Sequence, residues 1–370
     1  MTVLRLSLDV TAVPPKPAGA GRYTIDLATA LAARTDVAVT FVARRDDNER
    51  WAAFGHAVEP VAPSRRPTRL AWEQVRLPSI LGKLGLDVHH SPHYTMPERS
   101  SLPKVVTIHD LTFFDHPEWH ERTKVPFFRR AIRVAARHAD AIVCVSCTTA
   151  DLLHARCSPL APVHVVPHGV DVDRFTALPL DTDEAHLAEL GVRPPYVLFV
   201  GTIEPRKDVP TLVKAFDRMA GAHSDVSLVL AGGEGWGTAP VETAIAAARH
   251  RGRIVRTGYV SDDAVPALLR HATAVAYPAL EEGFGLPALE ALACGAPLVT
   301  TSGTAMEEVA GAAALLVEPG DLDGLAGALD MLVRGDVGLD ARRRRGLEIA
   351  ARHTWAASAE GHVEAYRTLL

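Results

Sequence analysis

Cysteine is scarce: Cys144, Cys147, Cys157 and Cys294 are all that 370 residues contain, too few for a disulfide framework in a chain of this length. No run of about eighteen uncharged apolar residues occurs, so no membrane-spanning helix is expected. The opening "MTVLRLSLDV" mixes charge into a short apolar run and lacks the basic segment, apolar core and cleavage site of a signal peptide. It reads as a buried first strand, and a soluble cytoplasmic protein is the expectation. Low-complexity tracts are missing as well, and 48% apolar residues suffice for a real core, which excludes a disordered chain. A second C-x-x-C is lacking. Cys144 and Cys147, at the end of "AIVCVS", therefore read as ordinary thiols ahead of half a zinc site or a redox pair.

The chain is longer than one hydrophobic core normally holds, so two domains are expected. Short apolar runs alternate with helical patterns: "LRLSLDV", "VAVTFVA", "LDVHHS", "KVVTIHD" and "DAIVCVS" form one series. "PYVLFVG", "VSLVLAGG", "RIVRTGY", "TAVAYPA", "PLVTTS" and "AALLVEP" form another. Each series predicts a parallel sheet with helices on both faces, giving an α/β protein of two Rossmann-like, doubly wound domains facing a cleft. The proline-dotted "DVDRFTALPLDTDEAHLAELGVRPP" reads as linker plus lead-in helix. The expected boundaries are 1–180, 181–355 and a final amphipathic helix over 356–370 that packs back towards the N-terminal domain.

Residues 1–180 hold 22 Lys+Arg against 18 Asp+Glu, a balance of +4; the remainder holds 17 against 26, a balance of −9. Six of those cations lie in "RTKVPFFRRAIRVAARHA", which has no carboxylate. On a helix Arg130, Arg133 and Arg137 share one side, and Phe128, Ile132 and Ala135 another. Two readings stand: a solvated face over a core stripe, or an amphipathic helix resting on anionic lipid at the inner face of the membrane. The basic run "ARRRRGLEIAARH" reads as a solvated helix surface, and no nucleic-acid partner is expected.

In open α/β sheets ligands collect beyond the carboxyl ends of the strands. After the first strand, "PKPAGAGRYT" offers Gly19 and Gly21 for close approach of an anion or substrate. A dinucleotide fingerprint would want a third glycine where Thr24 stands, and an acidic residue where the next strand ends in "FVARRD". In "VGTIEPRKD", Gly201 and Thr202 close the strand, and Arg206 and Lys207 stand together at an expected helix start. Such a pair suits a diphosphate without magnesium, although a solvated loop pair fits equally. In "EEGFGLPALEALACG", Glu282 precedes a glycine turn, Pro287 fits a first helical turn and Gly295 an end. Glu290 is placed in that first turn, where a carboxylate is either a ligand for hydroxyls or a cap. "HHSPH" supplies His89, His90 and His93, with His109 beside Asp110. A metal site is conceivable there, but the strand-end context argues against it.

"GTIEPRKD", "GYVSDDAVPALLRHATAVAYPALEEGFGLPALEALACGAPLVTT" and "VPHGVDVDRF", with "AGAGRYT" and "TIHDLTF", resemble the retaining glycosyltransferases of family four, which have the GT-B fold, over nearly the whole chain. The resemblance implies that Glu290 grips the donor ribose and Glu282 lies near the sugar hydroxyls. It implies that Gly283, Phe284, Gly285 and Leu286 hold sugar and phosphate through backbone N–H groups, and that Arg206 and Lys207 neutralise the departing diphosphate. It also implies that Gly19 and Gly21 lie between phosphate and acceptor, His109 borders the transferred sugar, and backbone at Val260 meets the base. Asp208 stands where asparagine is frequent, and His168 where asparagine or histidine occurs. The family's usual independence of metal implies no metal and no cofactor beyond the nucleotide-sugar donor. "LAWEQVRLP" and "HHSPHYTMP" look like segments of mannosyl-transferring members, so GDP-mannose is the expected donor and a hydroxyl group the acceptor. A covalent role for Glu282, by analogy with retaining glycosidases, is the alternative to a hydrogen-bonding one. A nicotinamide-dependent oxidoreductase or epimerase and a non-catalytic nucleotide-sugar sensor are the competing functions. The Ala- and Arg-rich composition suggests a bacterium of high GC content.

Overall fold

The computed structural model describes residues 2–17, 19–335 and 338–370. The first series of apolar runs forms a seven-stranded parallel sheet in the order β3-β2-β1-β4-β5-β6-β7. Its strands are β1 (Leu4–Asp9), β2 (Val37–Arg44), β3 (Ala57–Ala62), β4 (Val88–Ser91), β5 (Lys104–Ile108), β6 (Ala141–Cys144) and β7 (Val163–Val165). The second forms a six-stranded parallel sheet, β10-β9-β8-β11-β12-β13. Its strands are β8 (Tyr196–Val200), β9 (Ser227–Ala231), β10 (Ile254–Gly258), β11 (Ala274–Tyr277), β12 (Leu298–Thr301) and β13 (Ala314–Val317). Both orders run outward in two directions from a first strand, so each half is Rossmann-like, with a switch point at β1/β4 or at β8/β11. β3 and β7 are absent from the periodicity reading.

The chain divides into two compact units. One runs through Gly169 and is completed by Trp355–Leu370; the other is Val170–Thr354. The division therefore falls eleven residues before the boundary read from the sequence, 169 against 180. The reason is local: Val170 and Phe175 are each 3% exposed, and the Val170 N–H donates to the His353 carbonyl (2.8 Å). This anchors the head of the expected linker to the second unit. In the first unit Leu6, Leu8, Tyr23, Leu27, Phe41 and Trp51 form the core, and the last helix, Trp355–Arg367, adds Ala359, Val363, Ala365 and Tyr366.

The basic helix, Lys124–His138, buries Ala131, Ile132 and Ala135. Arg130 pairs with Glu98 (2.8 Å), and the Arg133 guanidinium lies 5.1 Å from the Phe114 ring centre. Two of the three cations of the lipid reading are thus committed to protein partners, and the packed stripe beneath a solvated face is what the structure supports. Among the described residues no helix is long and apolar enough to cross a membrane.

Candidate active site

In the second unit the site grows from the carboxyl ends of β8 and β11. Gly201 and Gly232 have φ of +145° and +149°. A Cβ on Gly232 would lie 2.0 Å from the Gly201 carbonyl oxygen, so only glycine lets these strand ends meet. Gly201 N donates to Ala231 O and Gly232 N to Gly258 O, both at 2.8 Å. Thr202 follows, and then a 3-10 turn, Pro205–Lys207, carries the two cations. The helix behind it is Val209–Met219, so Arg206 and Lys207 stand ahead of the helix start rather than on it. The residue between turn and helix, Asp208, has φ 47° and ψ 40°. That conformation explains why asparagine or aspartate suits the position.

Lys207 is 4% exposed. Its ammonium donates to both carboxylate oxygens of Glu282 (3.0 and 2.9 Å) and to the Tyr277 hydroxyl. Arg206 pairs with Glu204 through Nε (2.6 Å) and with Glu282 through a second nitrogen. Burial raises the Tyr277 phenol, and the nearby charges of Arg206, Glu204 and Glu290 act on it as well. One tyrosine ring therefore marks a neighbourhood shared by Arg206, Lys207, Glu282 and Glu290. Tyr277 and Glu204 went unremarked in the sequence because strand-end tyrosines and loop glutamates carry no pattern.

Glu282 leads through Gly283 and the buried Phe284 to the helix Leu286–Ala293. Glu290 is the fifth residue of that helix, whose first turn holds no acid. Glu290 thus lies just past the first turn in which the sequence places it, and the capping role falls with that placement. Gly285 has φ +104°, and a Cβ there would meet Met306 Sδ at 2.3 Å. Gly285→Ala is expected to lower stability by about 1–3 kcal/mol from the backbone alone. Calorimetry of Gly285→Ala with and without Met306→Ala checks this: relief of the clash should recover part of the loss, and full recovery would show that φ costs nothing. Val260, 6% exposed, follows β10 and lies at the end of the sheet.

In the first unit, Gly19 (φ +44°) begins the helix Ala20–Ala32, and Gly21 packs so closely on Pro14 and Pro17 that a Cβ would sit 3.2 Å from each. His109 follows β5; its Nε2–H donates to the Pro92 carbonyl (2.9 Å). Burial holds its pKa below the ordinary value, leaving Nδ1 as the accepting nitrogen of a neutral ring. Tyr23, on the same helix as Gly21, meets the His109 ring edge-on at 4.9 Å.

Behind Tyr23 runs a hydrogen-bond chain whose direction one carbonyl decides. Ser358 O can only accept, so His362 Nδ1 donates to it (2.7 Å), and His362 Nε2 accepts from the Tyr23 hydroxyl (2.8 Å). Tyr23 then accepts from Thr107 (2.9 Å), and Thr107 from His90 Nε2 (2.8 Å). His90 Nδ1 in turn accepts from Tyr366 (2.7 Å). His89 spends its nitrogens on Ser7 and Ser91. These rings are engaged with hydroxyls, and among the described residues no group of three or more His, Cys, Asp or Glu is arranged to hold a metal.

Comparison with known proteins matches residues 17–174 to the family described as Glycosyltransferase Family 4 and residues 184–352 to that described as Glycosyl transferases group 1. O-antigen chain mannosyltransferase B of Escherichia coli is 28% identical over 76% of this chain and 74% of its own length. A D-inositol 3-phosphate glycosyltransferase of Corynebacterium jeikeium is 33% identical over 59% of this chain, which spans 55% of that relative. Sucrose-phosphate synthase of Thermosynechococcus elongatus shares the fold at TM-score 0.81 and 20% identity, over 99% of both chains. The Anabaena HepE protein in complex with UDP-glucose does so at 0.78 and 18%, over 99% of this chain and 100% of its own.

Proposed function

Because the chain belongs to the glycosyltransferases, family four in its first half and group 1 in its second, with the two Rossmann-like halves of the GT-B fold, we propose that it moves a hexose from a nucleoside diphosphate sugar to a hydroxyl acceptor with retention. Mannose carried by GDP is the first donor. The observation that carries this reading is the meeting of Arg206 and Lys207 with Glu282 at the ends of β8 and β11. Two fixed cations facing a carboxylate suit the charge that develops on a diphosphate leaving group and the hydroxyls of the sugar it leaves.

The chemistry then needs no covalent enzyme intermediate. The electron pair of the breaking C–O bond stays on the departing phosphate oxygen, and Arg206 and Lys207 stabilise the charge it gains. The oxocarbenium-like sugar is captured by the acceptor hydroxyl from the face the phosphate leaves, and the hydroxyl proton passes to the departing phosphate oxygen, which gives retention. Glu282 Oε1 and Oε2 both accept from Lys207, which favours its hydrogen-bonding role over a nucleophilic one. Glu290 holds the ribose, Gly283 to Leu286 the sugar and phosphate, and Val260 the base. In the first unit Gly19, Gly21 and His109 serve the acceptor and the transferred sugar, with the neutral imidazole accepting at Nδ1. The mannosyltransferase relative supports the sugar; the inositol-phosphate relative argues for a soluble acceptor as readily as for a glycan.

Thermal shift in EDTA with GDP, UDP, ADP, NAD, GDP-mannose and UDP-glucose tests the reading. One nucleoside diphosphate and its sugar should stabilise by roughly 2.7 kcal/mol at a hundredfold excess over Kd. Transfer to hydroxyl acceptors should then proceed with chelator present. Stabilisation by NAD alone, or turnover abolished by EDTA, would overturn it.

A further inference from the structure

We propose that Glu282 competes with the donor's diphosphate for Arg206 and Lys207. It yields the cations as donor binds and takes them back once the sugar has gone, expelling the nucleoside diphosphate. The inference rests on the diphosphate reading of that pair and gives Glu282 a role in turnover beyond sugar recognition.

Three observations carry it. First, Glu282 is already in the place of an anion: both of its oxygens accept from Lys207, and Arg206 pairs with it too. Second, the cations are already matched. Arg206 and Lys207 pair with Glu204 and Glu282, two cations with two carboxylates, at side-chain exposures of 22, 6, 8 and 12%, and Glu290 adds a further negative charge beside the same Tyr277 ring. A diphosphate brought beside an unmoved Glu282 would set like charges together where water screens poorly, so one anion has to give way. Third, the turn itself is held. The Leu280 N–H donates to the Arg206 carbonyl (2.8 Å), while Glu282 lies two residues further on and next to Gly283. The side chain can swing while the cations stay.

The consequence is a difference between substrate and product. A donor brings sugar hydroxyls that satisfy the displaced carboxylate; a bare nucleoside diphosphate brings none and leaves Glu282 unpaired in a half-dry site, a costly state. Glu282 thereby weakens product binding more than donor binding.

Calorimetric titration of wild type, Glu282→Gln, Glu282→Asp and Lys207→Ala with GDP, UDP and their sugars, in EDTA, tests this. Glu282→Gln should bind the accepted nucleoside diphosphate at least about tenfold tighter than wild type, and its preference for the sugar nucleotide should shrink by a similar factor. Product inhibition should strengthen in step. Glu282→Asp keeps the charge but withdraws it by one methylene. It should shift in the same direction, and it carries the test if the glutamine variant does not fold. A carboxylate with a purely structural role would not raise product affinity. Unchanged or weaker diphosphate binding in the folded Glu282 variants, with Lys207→Ala still weakening it, overturns the exchange and leaves the diphosphate site standing. A wild type that binds no nucleoside diphosphate, or a Lys207→Ala that binds as wild type does, removes the site and the exchange together.

Discussion

Lys207→Ala will lower kcat by on the order of 10² to 10³, the loss found when one preorganised donor is taken from a developing anion. The ammonium is buried, touches the Tyr277 hydroxyl and lies 4.5 Å from the centre of that ring. This is a slot for a compact charge, so Lys207→Arg should restore little, since a planar guanidinium has a different shape and hydrogen-bonding fork. The effect should fall on kcat more than on the donor's KM, because the charge on the leaving phosphate grows towards the transition state. Steady-state kinetics over both substrates decides the point: turnover within tenfold of wild type would deny Lys207 any part in bond breaking. Glu282 keeps Arg206 as a partner in the variant, so the fold should survive the change.

The second large effect is acid lability of the first unit. Burial holds His89 down to about 3 and His362 to about 4, with Lys104 adding to the first and His109 to the second. His90 and His168 are displaced in the same direction, also by burial first. Below about pH 6.5 the unfolded chain binds protons that the folded chain refuses. The stability these rings contribute is therefore complete above that pH and is lost as pH falls towards 4. At pH 5 His89 and His362 alone cost about 2 kcal/mol each, or ~4 kcal/mol together, a large share of a typical domain's 5–15 kcal/mol.

Glu73 works the other way. Burial, with the charge of Asp9 adding to it, pushes its carboxyl up to about 8, so its contribution is present near pH 4.5 and fades as pH rises through 8. Hydrogen exchange of β4 and β5 amides at pH 7 and pH 5 should show protection falling in acid, and more steeply in Glu73→Gln, which lacks the opposing group. Equal protection at both pH values in that variant would mean that the buried rings are not what acid attacks.

Most of the architecture is legible in the sequence because strands such as β5, β6, β8, β9 and β11 are near-continuous apolar runs between helices, the pattern a parallel sheet buried on both faces demands. The two that escape notice, β3 and β7, end the seven-stranded order. β3 contains Pro60 and β7 is three residues long, and neither is buried along its length. An edge strand needs no apolar run and tolerates proline, so it leaves no such signature. The site divides in the same manner. Glycines that permit close approach, Gly201 and Gly285, and the adjacent cations announce themselves, since few other residues serve there. Glu204 and Tyr277, which hold those cations, are ordinary residues: Tyr277 meets Lys207 from 70 positions away, and Glu204, two positions from Arg206, is one loop glutamate among several. The start of the linker lies inside the second compact unit for a related reason: Val170, just before it, and Phe175, within it, are too sparse to read as core, and only their burial makes them so.

The last helix has one further consequence, for the order in which the protein is made. Tyr23 and His362 are 339 positions apart, and Ala359, Val363 and Tyr366 complete a core begun by the first strand. On a ribosome the second unit has all of its residues before the first has its last sixteen. Of the two units, the one begun first is therefore the last to close, and it waits through the translation of the other with its face towards that helix uncovered.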